Sequence, residues 1–599
     1  MKLNNQKLKV LRKAMLSAGV DAYIIPAYDP HLGEYLPDHW RVISWLTGFT
    51  GSAANVVVTA KFAGLWTDSR YFIQAEQELE GSGFELVKLK VPHTPEYIGW
   101  IAANTRRKTV VAFDGRVMPV ALLNLMKETF FSRGLLINTE CDLVGPIWSD
   151  RPPMPRSLAF DHPVEFAGIS RGSKIKSVRE RMATMNADYH LLTSLDDIMW
   201  MLNIRGGDVE YSPLITCFAL ITPVQLLLFV DDEQIPPLMK REFDKDGVVI
   251  LPYDVVGTVL SDLNPKASLL LHKGTTSAAL YSSVNPKCTI IDDVSIATRL
   301  KAVKNSVEID NIKATMVKDG VALTKFFYWL ETTIGRERIT EVSAAEKLLT
   351  FRLQQEGCRG PSFSTISAWN EHAALPHYSP SRDRDTELGL SGTYLLDSGG
   401  QYYGGTTDVT RCVVFGEPGT RQKRDFTLAL KGTIGLSMVK FPLGTKGYQI
   451  EILARKALWD NGLNYGHGTG HGVGYYLNVH EGPQSIGSGA SADLKTIIEP
   501  GMLTADEPAI YRPGEYGFRT ENLILCVEDE LTDYGQFLRF ETVTLCFIDT
   551  RLIDKALLTD EETLWIDNYH QRVYNTLAPL LGKQEQLWLK SKTQKLITT

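Results

Sequence analysis

Cysteine is scarce and scattered in this chain of 599 residues. Its seven cysteines stand far apart in the sequence, and no two of them form a CxxC pair. An odd, dispersed set excludes a disulfide framework of the kind that holds small secreted domains together. The pattern instead predicts reduced, mostly buried thiols in a cytoplasmic protein.

The chain also lacks a hydrophobic run long enough to cross a membrane. Its most apolar stretch, from Leu214 to Val230, is broken at Thr222 and Pro223 and contains Gln225. This interruption predicts two buried strands joined by a turn. The basic N-terminus, MKLNNQKLKVLRKAM, is not followed by the apolar segment of a signal peptide. We therefore expect no membrane association.

An excess of positive charge is missing as well. The chain carries 63 Lys and Arg against 70 Asp and Glu, which gives a net charge of −7. No long block of one sign is present, so composition offers no electrostatic footprint for nucleic acid or for an anionic membrane. The 44% hydrophobic and 22% charged residues are ordinary for a globular protein, and the length requires several domains.

Three domains are predicted, at residues 1–160, 161–300 and 301–599. The first begins with an amphipathic helix and a strand over 21–26, DAYIIP, and alternates helices and strands. The segment KSVRERMATMNADYHLLTSLDDIMWMLNIRG loosely repeats this opening, which predicts an internal duplication. The proline-rich segment 151–156, RPPMPR, is the expected hinge between the two copies.

The third domain is predicted to open on helices and to continue into strands and glycine-rich loops. Helical spacing of apolar residues runs from Val307 to Phe327, and another helix is expected over Val342–Gln355. Thr559 is the predicted N-cap of a closing helix, because three acidic residues follow it in the first turn.

Metal-binding side chains are concentrated in this third domain. Five of the twelve histidines fall between residues 372 and 480, and four acids, two among these histidines and two after them, stand in or beside apolar, strand-like runs. Burying an unpaired carboxylate is costly, and a divalent metal ion would remove that cost. The candidates are His372, His377, Asp397, Asp408, His467, His471, His480, Glu507 and Glu521.

The spacing of the acids is typical of two hairpins. Asp397 ends the predicted strand TYLLD and Asp408 begins DVTRCVVF, so the two can face each other across a long hairpin. Glu507 and Glu521 likewise flank YRPGEYG, which contains a predicted turn. Taken singly, such acids serve turns equally well, but together they favour a shared cation.

The motif GHGTGHGVG places His467 and His471 four residues apart. Its alternating glycines disfavour a regular helix and indicate close approach of the backbone to a ligand. No register matches the dinucleotide fingerprint GxGxxG. Oxygen-rich ligation with a single imidazole predicts a two-metal hydrolase and leaves manganese, cobalt and zinc open.

The order Asp397, Asp408, His471, Glu507 and Glu521 resembles the ligand set of the pita-bread metallopeptidases, which include methionine aminopeptidase, prolidase and aminopeptidase P. The segments DSGGQYYGGTTDVTR, GHGTGHGVGYYLNVHEGP and the DEP and RTEN pair most resemble the long, three-domain cytosolic form of aminopeptidase P. The similarity extends to WTDSRYF near the start and to LTDEETLWIDNYH near the end.

The resemblance implies an α/β (α+β) chain with two creatinase-like N-terminal domains and a catalytic pita-bread domain that ends in a helical extension. It implies a homodimer and two divalent metal ions, with manganese expected and cobalt or zinc as alternatives. Asp408 and Glu521 would bridge or flank the two ions, and Asp397, His471 and Glu507 would complete the ligand set.

The resemblance also implies the reaction: a metalloexopeptidase that releases the first residue from Xaa-Pro peptides by attack of a hydroxide held between two metal ions. Glu507 would carry the proton to the leaving nitrogen. His377, His467 and His480 would contact the substrate and stabilise the tetrahedral intermediate, and Arg519 would orient a ligand carboxylate.

Three other interpretations stay open from the sequence. Prolidase shares these ligands but cleaves only dipeptides, creatinase keeps the fold without the ligands, and a peptidase-like binding module would have lost catalysis. The chain departs from the family pattern at Ala509, where glycine is usual, and at Trp369 and Glu371, where small residues are common. These departures concern the shape of the pocket and the substrate preference.

Overall fold

The computed structural model describes residues 3–92, 94–488 and 495–596. The chain divides into two compact units. Unit 1 comprises residues 1–164 and 169–299, and unit 2 comprises residues 165–168 and 300–599. The C-terminal unit therefore includes a short segment from far upstream in the sequence.

Unit 1 consists of alternating helices and strands, as predicted for an α/β region. Its helices, of which α6 enters unit 2 after its first residue and α12 continues into unit 2, are α1 (Leu3–Ser17), α2 (Val42–Thr47), α3 (Phe72–Leu79), α4 (Glu96–Asn104), α5 (Val120–Phe131), α6 (Val164–Ala167), α7 (Arg171–Thr184), α8 (Leu195–Leu202), α9 (Pro237–Lys245), α10 (Val256–Ser261), α11 (Ala278–Ser283) and α12 (Ile296–Ala302). Its strands are β1 (Ala22–Pro26), β2 (Asn55–Thr59), β3 (Ala63–Thr67), β4 (Glu85–Lys88), β5 (Val110–Ala112), β6 (Leu136–Asn138), β7 (Phe160–Asp161), β8 (Tyr189–Leu192), β9 (Ile204–Arg205), β10 (Phe218–Ile221), β11 (Leu226–Phe229), β12 (Val248–Leu251), β13 (Ser268–Leu271) and β14 (Thr289–Asp292).

Two six-stranded sheets in unit 1 share one topology. The first has the order β4-β3-β2-β1-β5-β6, and the second has the order β12-β11-β10-β8-β13-β14. Corresponding neighbours also run in the same relative directions, with two antiparallel pairs and three parallel pairs in each sheet. The duplication predicted from the two similar openings is confirmed.

Burial explains why these segments are strands and helices. Every residue of β1 is buried, as expected for a strand that is covered on both faces. Helix α1 contributes Leu8, Leu11 and Met15 to one of the two hydrophobic cores beside this sheet. The apolar stretch from Leu214 to Val230 forms the antiparallel pair β10 and β11, as predicted. Among the described helices, none has the length and apolar character needed to span a membrane.

Unit 2 opens on two long helices and continues into small antiparallel sheets. Its remaining helices are α13 (Ser306–Thr333), α14 (Glu341–Leu353), α15 (Thr420–Met438), α16 (Gly447–Trp459), α17 (Asp560–Leu577) and α18 (Lys583–Lys592). Its strands are β15 (Cys358–Pro361), β16 (Ile366–Trp369), β17 (Gly392–Ser398), β18 (Gly400–Tyr402), β19 (Gly405–Thr406), β20 (Val409–Phe415), β21 (Lys440–Pro442), β22 (Gly470–His471), β23 (Ser485–Ile486), β24 (Leu503–Asp506), β25 (Ala509–Arg512), β26 (Tyr516–Arg519), β27 (Asn522–Thr532) and β28 (Gly535–Thr542).

The sheets of unit 2 are antiparallel throughout. The largest has the order β21-β28-β27-β24, and a second has the order β16-β17-β20. Helices α13, α15 and α17 contribute Phe326, Phe426 and Ile566 to a core that also contains Leu395 of β17 and Val413 of β20. These layers hold the strands that carry the predicted site residues.

Helix starts in unit 2 follow the capping rules. Thr559 accepts a hydrogen bond from the backbone nitrogen of Glu562, whose side chain returns to the Thr559 backbone, so the predicted N-cap of α17 is confirmed. The helix expected over Val342–Gln355 is α14.

Residues 165–168 are joined to unit 2 by specific contacts. The Asn305 side-chain amide donates to the Ala167 carbonyl at 3.0 Å, and the Tyr475 hydroxyl donates to the Phe166 carbonyl at 3.0 Å. The Phe166 ring also stacks on Tyr403, with centroids 5.7 Å apart. This segment lies inside the predicted second domain, whose boundaries stay a prediction.

Candidate metal centre

Asp397 and Asp408 lie on one face of the β17–β20 hairpin. Asp397 pairs with Thr410, and Asp408 precedes Thr410 by two residues, so the two carboxylates point to the same side. Both residues are buried, at 7% and 4% exposed. The hairpin predicted between the two acids is present, with β18 and β19 inserted in its connection.

Glu507 and Glu521 flank the β25–β26 hairpin, as predicted. Glu507 follows β24 directly, and its backbone nitrogen donates to the Thr469 carbonyl at 2.8 Å. Glu521 lies between β26 and β27, and its backbone nitrogen donates to the Thr410 carbonyl at 3.1 Å. The Thr410 hydroxyl also donates to Glu521 Oε2 at 2.7 Å. These bonds join Glu521 to the hairpin that carries the two aspartates.

His471 completes a compact group of ligand atoms. Its Nε2 lies 3.6 Å from Asp408 Oδ2 and 3.8 Å from Glu507 Oε1. One ligand atom from each of Asp408, His471 and Glu521 lies within 4.8 Å of the others. The His471 Nδ1 is 3.0 Å from the Gly472 carbonyl, which orients Nε2 towards the acids.

Electrostatic repulsion in this group is strong. Burial raises the pKa of Asp408 well above its usual value, and Asp397 and Glu507 raise it further. Burial likewise raises the pKa of Glu521, with added repulsion from Asp408 and Asp397. Four carboxylates converge here, and carboxylates this close cannot all ionise without a nearby cation.

The donor set therefore fits divalent metal ions. Oxygen and imidazole ligands suit manganese, cobalt and zinc, and a doubly charged ion would offset the repulsion. Asp397 Oδ1 is buried and makes no hydrogen bond within the described part of the chain, which leaves it available as a ligand. Among the described residues, the group whose ligand atoms all lie within 4.8 Å of one another contains Asp408, His471 and Glu521, and not the other predicted ligands Asp397 and Glu507.

Close backbone packing explains the glycines of GHGTGHGVG. A Cβ added to Gly470 would lie 1.9 Å from the Ala505 carbonyl oxygen, and one added to Gly472 would lie 2.1 Å from the Glu481 carbonyl oxygen. Real Cβ atoms do not approach backbone so closely. The motif forms the short strand β22 and a loop, in agreement with the prediction that it is not helical.

The three predicted substrate histidines occupy different surroundings. The His480 ring meets the His471 ring nearly at right angles, with centroids 4.2 Å apart. His467 Nδ1 lies 2.6 Å from the Gly468 carbonyl and 3.9 Å from Glu507 Oε2. His377 is half-buried in the loop after β16.

Arg519 holds several of these elements together. Its guanidinium donates to Asp397 Oδ2 at 2.5 Å, to the Pro376 carbonyl at 3.3 Å and to the Thr410 hydroxyl at 3.2 Å. The residue is 3% exposed. Although burial alone would lower its pKa, the neighbouring Tyr511 and Asp397 raise the pKa of the guanidinium above its ordinary value.

Sequence reasoning missed Tyr511. Its hydroxyl accepts from Arg519 Nη1 and lies 2.9 Å from His467 Nε2. Because His467 Nδ1 faces a carbonyl and must carry the ring proton, Nε2 accepts from Tyr511. For His467 to donate to a substrate, its ring must turn away from one of these partners. Nothing in the motif YRPGEYG signals this role.

Arg455 of α16 was also missed. It donates to the carbonyls of Tyr465 and His467, each at 2.8 Å, and pairs with Glu451 one turn earlier. The i, i+4 spacing of Glu451 and Arg455 is the only signal in the sequence, and it is equally typical of a solvated pair.

The three residues that depart from the family pattern lie in different surroundings. Trp369 is 7% exposed and packs in the core near Phe415. Glu371 is exposed, in the 3-10 turn that follows. Ala509 is fully buried in β25, opposite Arg519.

Comparison with known proteins agrees with this geometry. The chain matches the model of metallopeptidase family M24 over residues 310–528 and that of the C-terminal region of this peptidase over 536–596. Two models of the creatinase/prolidase N-terminal domain match residues 7–140 and 150–308.

Relatives that match this chain along almost its whole length show the family to which it belongs. The chain is 36% identical to the probable Xaa-Pro aminopeptidase P of Coprinopsis cinerea, over 98% of both chains. It is 36% identical to the Xaa-Pro aminopeptidase ApepP of Drosophila melanogaster, over 98% of this chain and 99% of the relative. The chain belongs to the Xaa-Pro aminopeptidases of metallopeptidase family M24.

A solved structure of this Xaa-Pro aminopeptidase family has the same fold. The X-prolyl aminopeptidase of Caenorhabditis elegans, described as a cytosolic enzyme with a di-nuclear active site, is 33% identical and superposes with a TM-score of 0.95 over 100% of both chains. Two creatinase-like domains followed by a pita-bread metallopeptidase domain, the predicted architecture, are thus confirmed. The prediction of a metalloexopeptidase is confirmed with it.

Proposed function

We propose that this chain releases the N-terminal residue from peptides that have proline at the second position. The observation that carries the proposal is the convergence of Asp408, His471 and Glu521 within 4.8 Å, with Asp397 and Glu507 beside them. The chain that holds this group matches Xaa-Pro aminopeptidases along almost its whole length.

Two divalent metal ions are the proposed cofactors, by analogy with the di-nuclear site of the C. elegans relative. Asp397, Asp408, His471, Glu507 and Glu521 would hold them. When bound, such ions lower the pKa of a water molecule and polarise a carbonyl group. Manganese is the proposed metal, and the same ligands accept cobalt or zinc.

Glu507 is the proposed proton carrier. It lies within 3.9 Å of both His467 and His471, at the place where carboxylates and imidazoles meet. There it takes a proton from the attacking water and delivers it to the departing proline nitrogen. Arg519 orients the Asp397 carboxylate through their 2.5 Å hydrogen bond.

His377, His467 and His480 are the proposed substrate contacts. An imidazole that donates to the carbonyl oxygen gains strength as negative charge develops on that oxygen. His480 lies against His471, with ring centroids 4.2 Å apart, which places it beside the proposed metal ligands. A proline nitrogen carries no hydrogen, so recognition must use the ring shape and the free N-terminus.

We also propose a cytoplasmic homodimer. Helix α16 exposes Tyr448, Ile452 and Trp459 at 49%, 43% and 48%, and Leu443 nearby is 55% exposed. Such clustered apolar side chains are typical of an interface. Arg455 of the same helix holds the His467 loop through its bond to the His467 carbonyl. Sedimentation analysis tests the proposal, and a monomer at micromolar concentration would contradict it.

The decisive experiment offers the purified protein, supplied with manganese, three peptides: an Xaa-Pro dipeptide, an Xaa-Pro-Yaa tripeptide and an Xaa-Ala-Yaa control. Mass spectrometry follows each with and without a chelator. We expect chelator-sensitive release of the first residue from the tripeptide and not from the control. Cleavage of the dipeptide alone would instead indicate prolidase, and metal binding without any cleavage would indicate a binding module.

A further inference from the structure

A buried carboxylate lies at the start of α14, outside the proposed ligand set. Glu341 is fully buried and is the first residue of the helix. Burying a carboxylate is costly unless several donors satisfy its oxygens. The identity of those donors indicates what Glu341 does.

Three donors reach this carboxylate. The Trp369 backbone nitrogen donates to Oε1 at 2.6 Å, and the Tyr378 hydroxyl donates to Oε2 at 2.6 Å. His372 Nδ1 lies 2.9 Å from Oε1 and 3.1 Å from Oε2. The Ser367 hydroxyl adds a bond to the Glu341 backbone carbonyl at 2.7 Å.

All four donors come from the single segment 367–378, which carries His377. After β16 ends, residues 370–374 form a short 3-10 helix. Beyond it, Leu375 donates to the His372 carbonyl at 3.0 Å, and Tyr378 donates to the Leu375 carbonyl at 3.1 Å. The His372 and Tyr378 rings stack with centroids 4.6 Å apart, side by side on the same carboxylate. Glu341 therefore joins both ends of this segment, through Trp369 and Tyr378, to the start of α14.

A second anchor reaches the segment from the metal centre. Arg519 donates to the Pro376 carbonyl at 3.3 Å and to Asp397 Oδ2 at 2.5 Å. His377 thus lies directly between two fixed residues. Pro376 is tied through Arg519 to the proposed metal ligands, and Tyr378 is tied to Glu341.

We propose that Glu341 is a positioning residue that sets the place of His377 against the substrate, acting through Tyr378 and His372. The proposal rests on the proposed function, in which His377 contacts the peptide. Glu341 itself touches neither substrate nor metal.

The principal variant is Glu341→Gln. The glutamine amide presents N–H groups where the carboxylate accepted bonds, so at least one donor loses its partner. Displacing a substrate contact by about 1 Å costs up to about 100-fold in rate. We expect kcat/KM for the Xaa-Pro-Yaa tripeptide to fall about 10- to 100-fold, with metal content unchanged.

Tyr378→Phe is the milder companion, because it removes one donor and leaves the buried carboxylate two others. If Glu341→Gln does not fold, Tyr378→Phe still tests the proposal. Glu346→Gln is the matched control, since Glu346 lies on the same helix but pairs with Arg382 at the surface, with 58% of its side chain exposed. We expect the control to keep wild-type kinetics.

In the deciding measurement, Glu341→Gln and Tyr378→Phe are each combined with His377→Ala, and kcat/KM is measured again. If both act through His377, neither lowers kcat/KM further once that imidazole is absent. An undiminished loss in that background, or a loss of bound metal, would overturn the proposal. A wild-type protein that cleaves no Xaa-Pro peptide would instead overturn the proposed function, and a fully active His377→Ala variant would overturn the proposed role of Glu341 alone.

Discussion

Acidification is expected to weaken each unit through a buried neutral histidine. In unit 1, His190 Nε2 accepts from the Ile296 backbone nitrogen at 3.3 Å. In unit 2, His570 Nε2 accepts from the Ile548 backbone nitrogen at 3.0 Å. Burial lowers the pKa of each imidazole to about 4. Both rings are fully buried.

The direction of this pH effect follows from the number of protons that the folded and unfolded states bind. In the unfolded chain each histidine takes up a proton near its ordinary pKa of 6.5, whereas in the folded chain it does so only near pH 4. Between these values the unfolded state binds one more proton per histidine, so the free energy of unfolding falls as the pH falls. A pKa difference of about 2.5 corresponds to about 3 kcal/mol for each histidine.

The variants His570→Gln and His190→Gln test this calculation. A glutamine oxygen can still accept the backbone hydrogen bond but does not titrate. Urea unfolding at pH 7, 6 and 5 should show that the stability of each variant depends less on pH than that of the wild type, by about 0.7 kcal/mol between pH 7 and 6 and about 1.2 kcal/mol between pH 6 and 5. Both variants keep the metal-binding side chains, so subtracting the wild type cancels their titration.

Parallel curves of the free energy of unfolding against pH, for variant and wild type, would contradict this expectation. If His570→Gln merely lowers the stability of unit 2 by the same amount at every pH, then His570 does not remain neutral in the folded protein. The two variants should also act on different transitions where the units unfold separately. Fluorescence and enzymatic activity, followed together, would distinguish the unit that contains the site.

Four further results are expected. Glu507→Gln should keep the fold yet retain less than about a tenth of wild-type turnover, measured on an Xaa-Pro tripeptide. His467→Ala should lower turnover more than metal content, and equal losses would make it a ligand. Lys304→Met should cost about 1.5–3 kcal/mol in urea unfolding, because Glu481 loses the charged hydrogen bond from Lys304 and keeps Lys301, at 3.3 Å, as a buried partner. Gly472→Ala should cost about 1–3 kcal/mol, because its Cβ meets a backbone oxygen; unchanged stability would contradict the close packing.

Local pattern was enough to predict the strands and the hairpins that carry the acids. Asp397 and Asp408 are separated by few residues, and so are Glu507 and Glu521, so turn chemistry and strand alternation determine which face each acid takes. The two copies in unit 1 were visible because both repeat a helix followed by a buried strand.

Contacts between distant segments were not predictable in the same way. Glu341 is one of many acids on helices, and its role depends on the register of β16 against β17, which brings residues 369–378 to its carboxylate. Tyr511 lies two residues after Ala509 in β25, and the pairing of β25 with β26 places Ala509 opposite Arg519, so Tyr511 comes within reach of the guanidinium. Neither helix α14 nor the β25–β26 hairpin determines by itself which distant residues it contacts. The sequence alone therefore does not indicate the roles of Glu341 and Tyr511.

The membership of residues 165–168 in unit 2 bears on how this enzyme could be shortened. A fragment that begins near residue 300 would leave the Tyr475 hydroxyl and the Asn305 amide without the carbonyls they bind. The Phe166 ring would also be lost from Tyr403. A stand-alone peptidase domain would have to retain residues 165–168 and replace residues 169–299 with a short linker, so the catalytic half is portable only as two pieces.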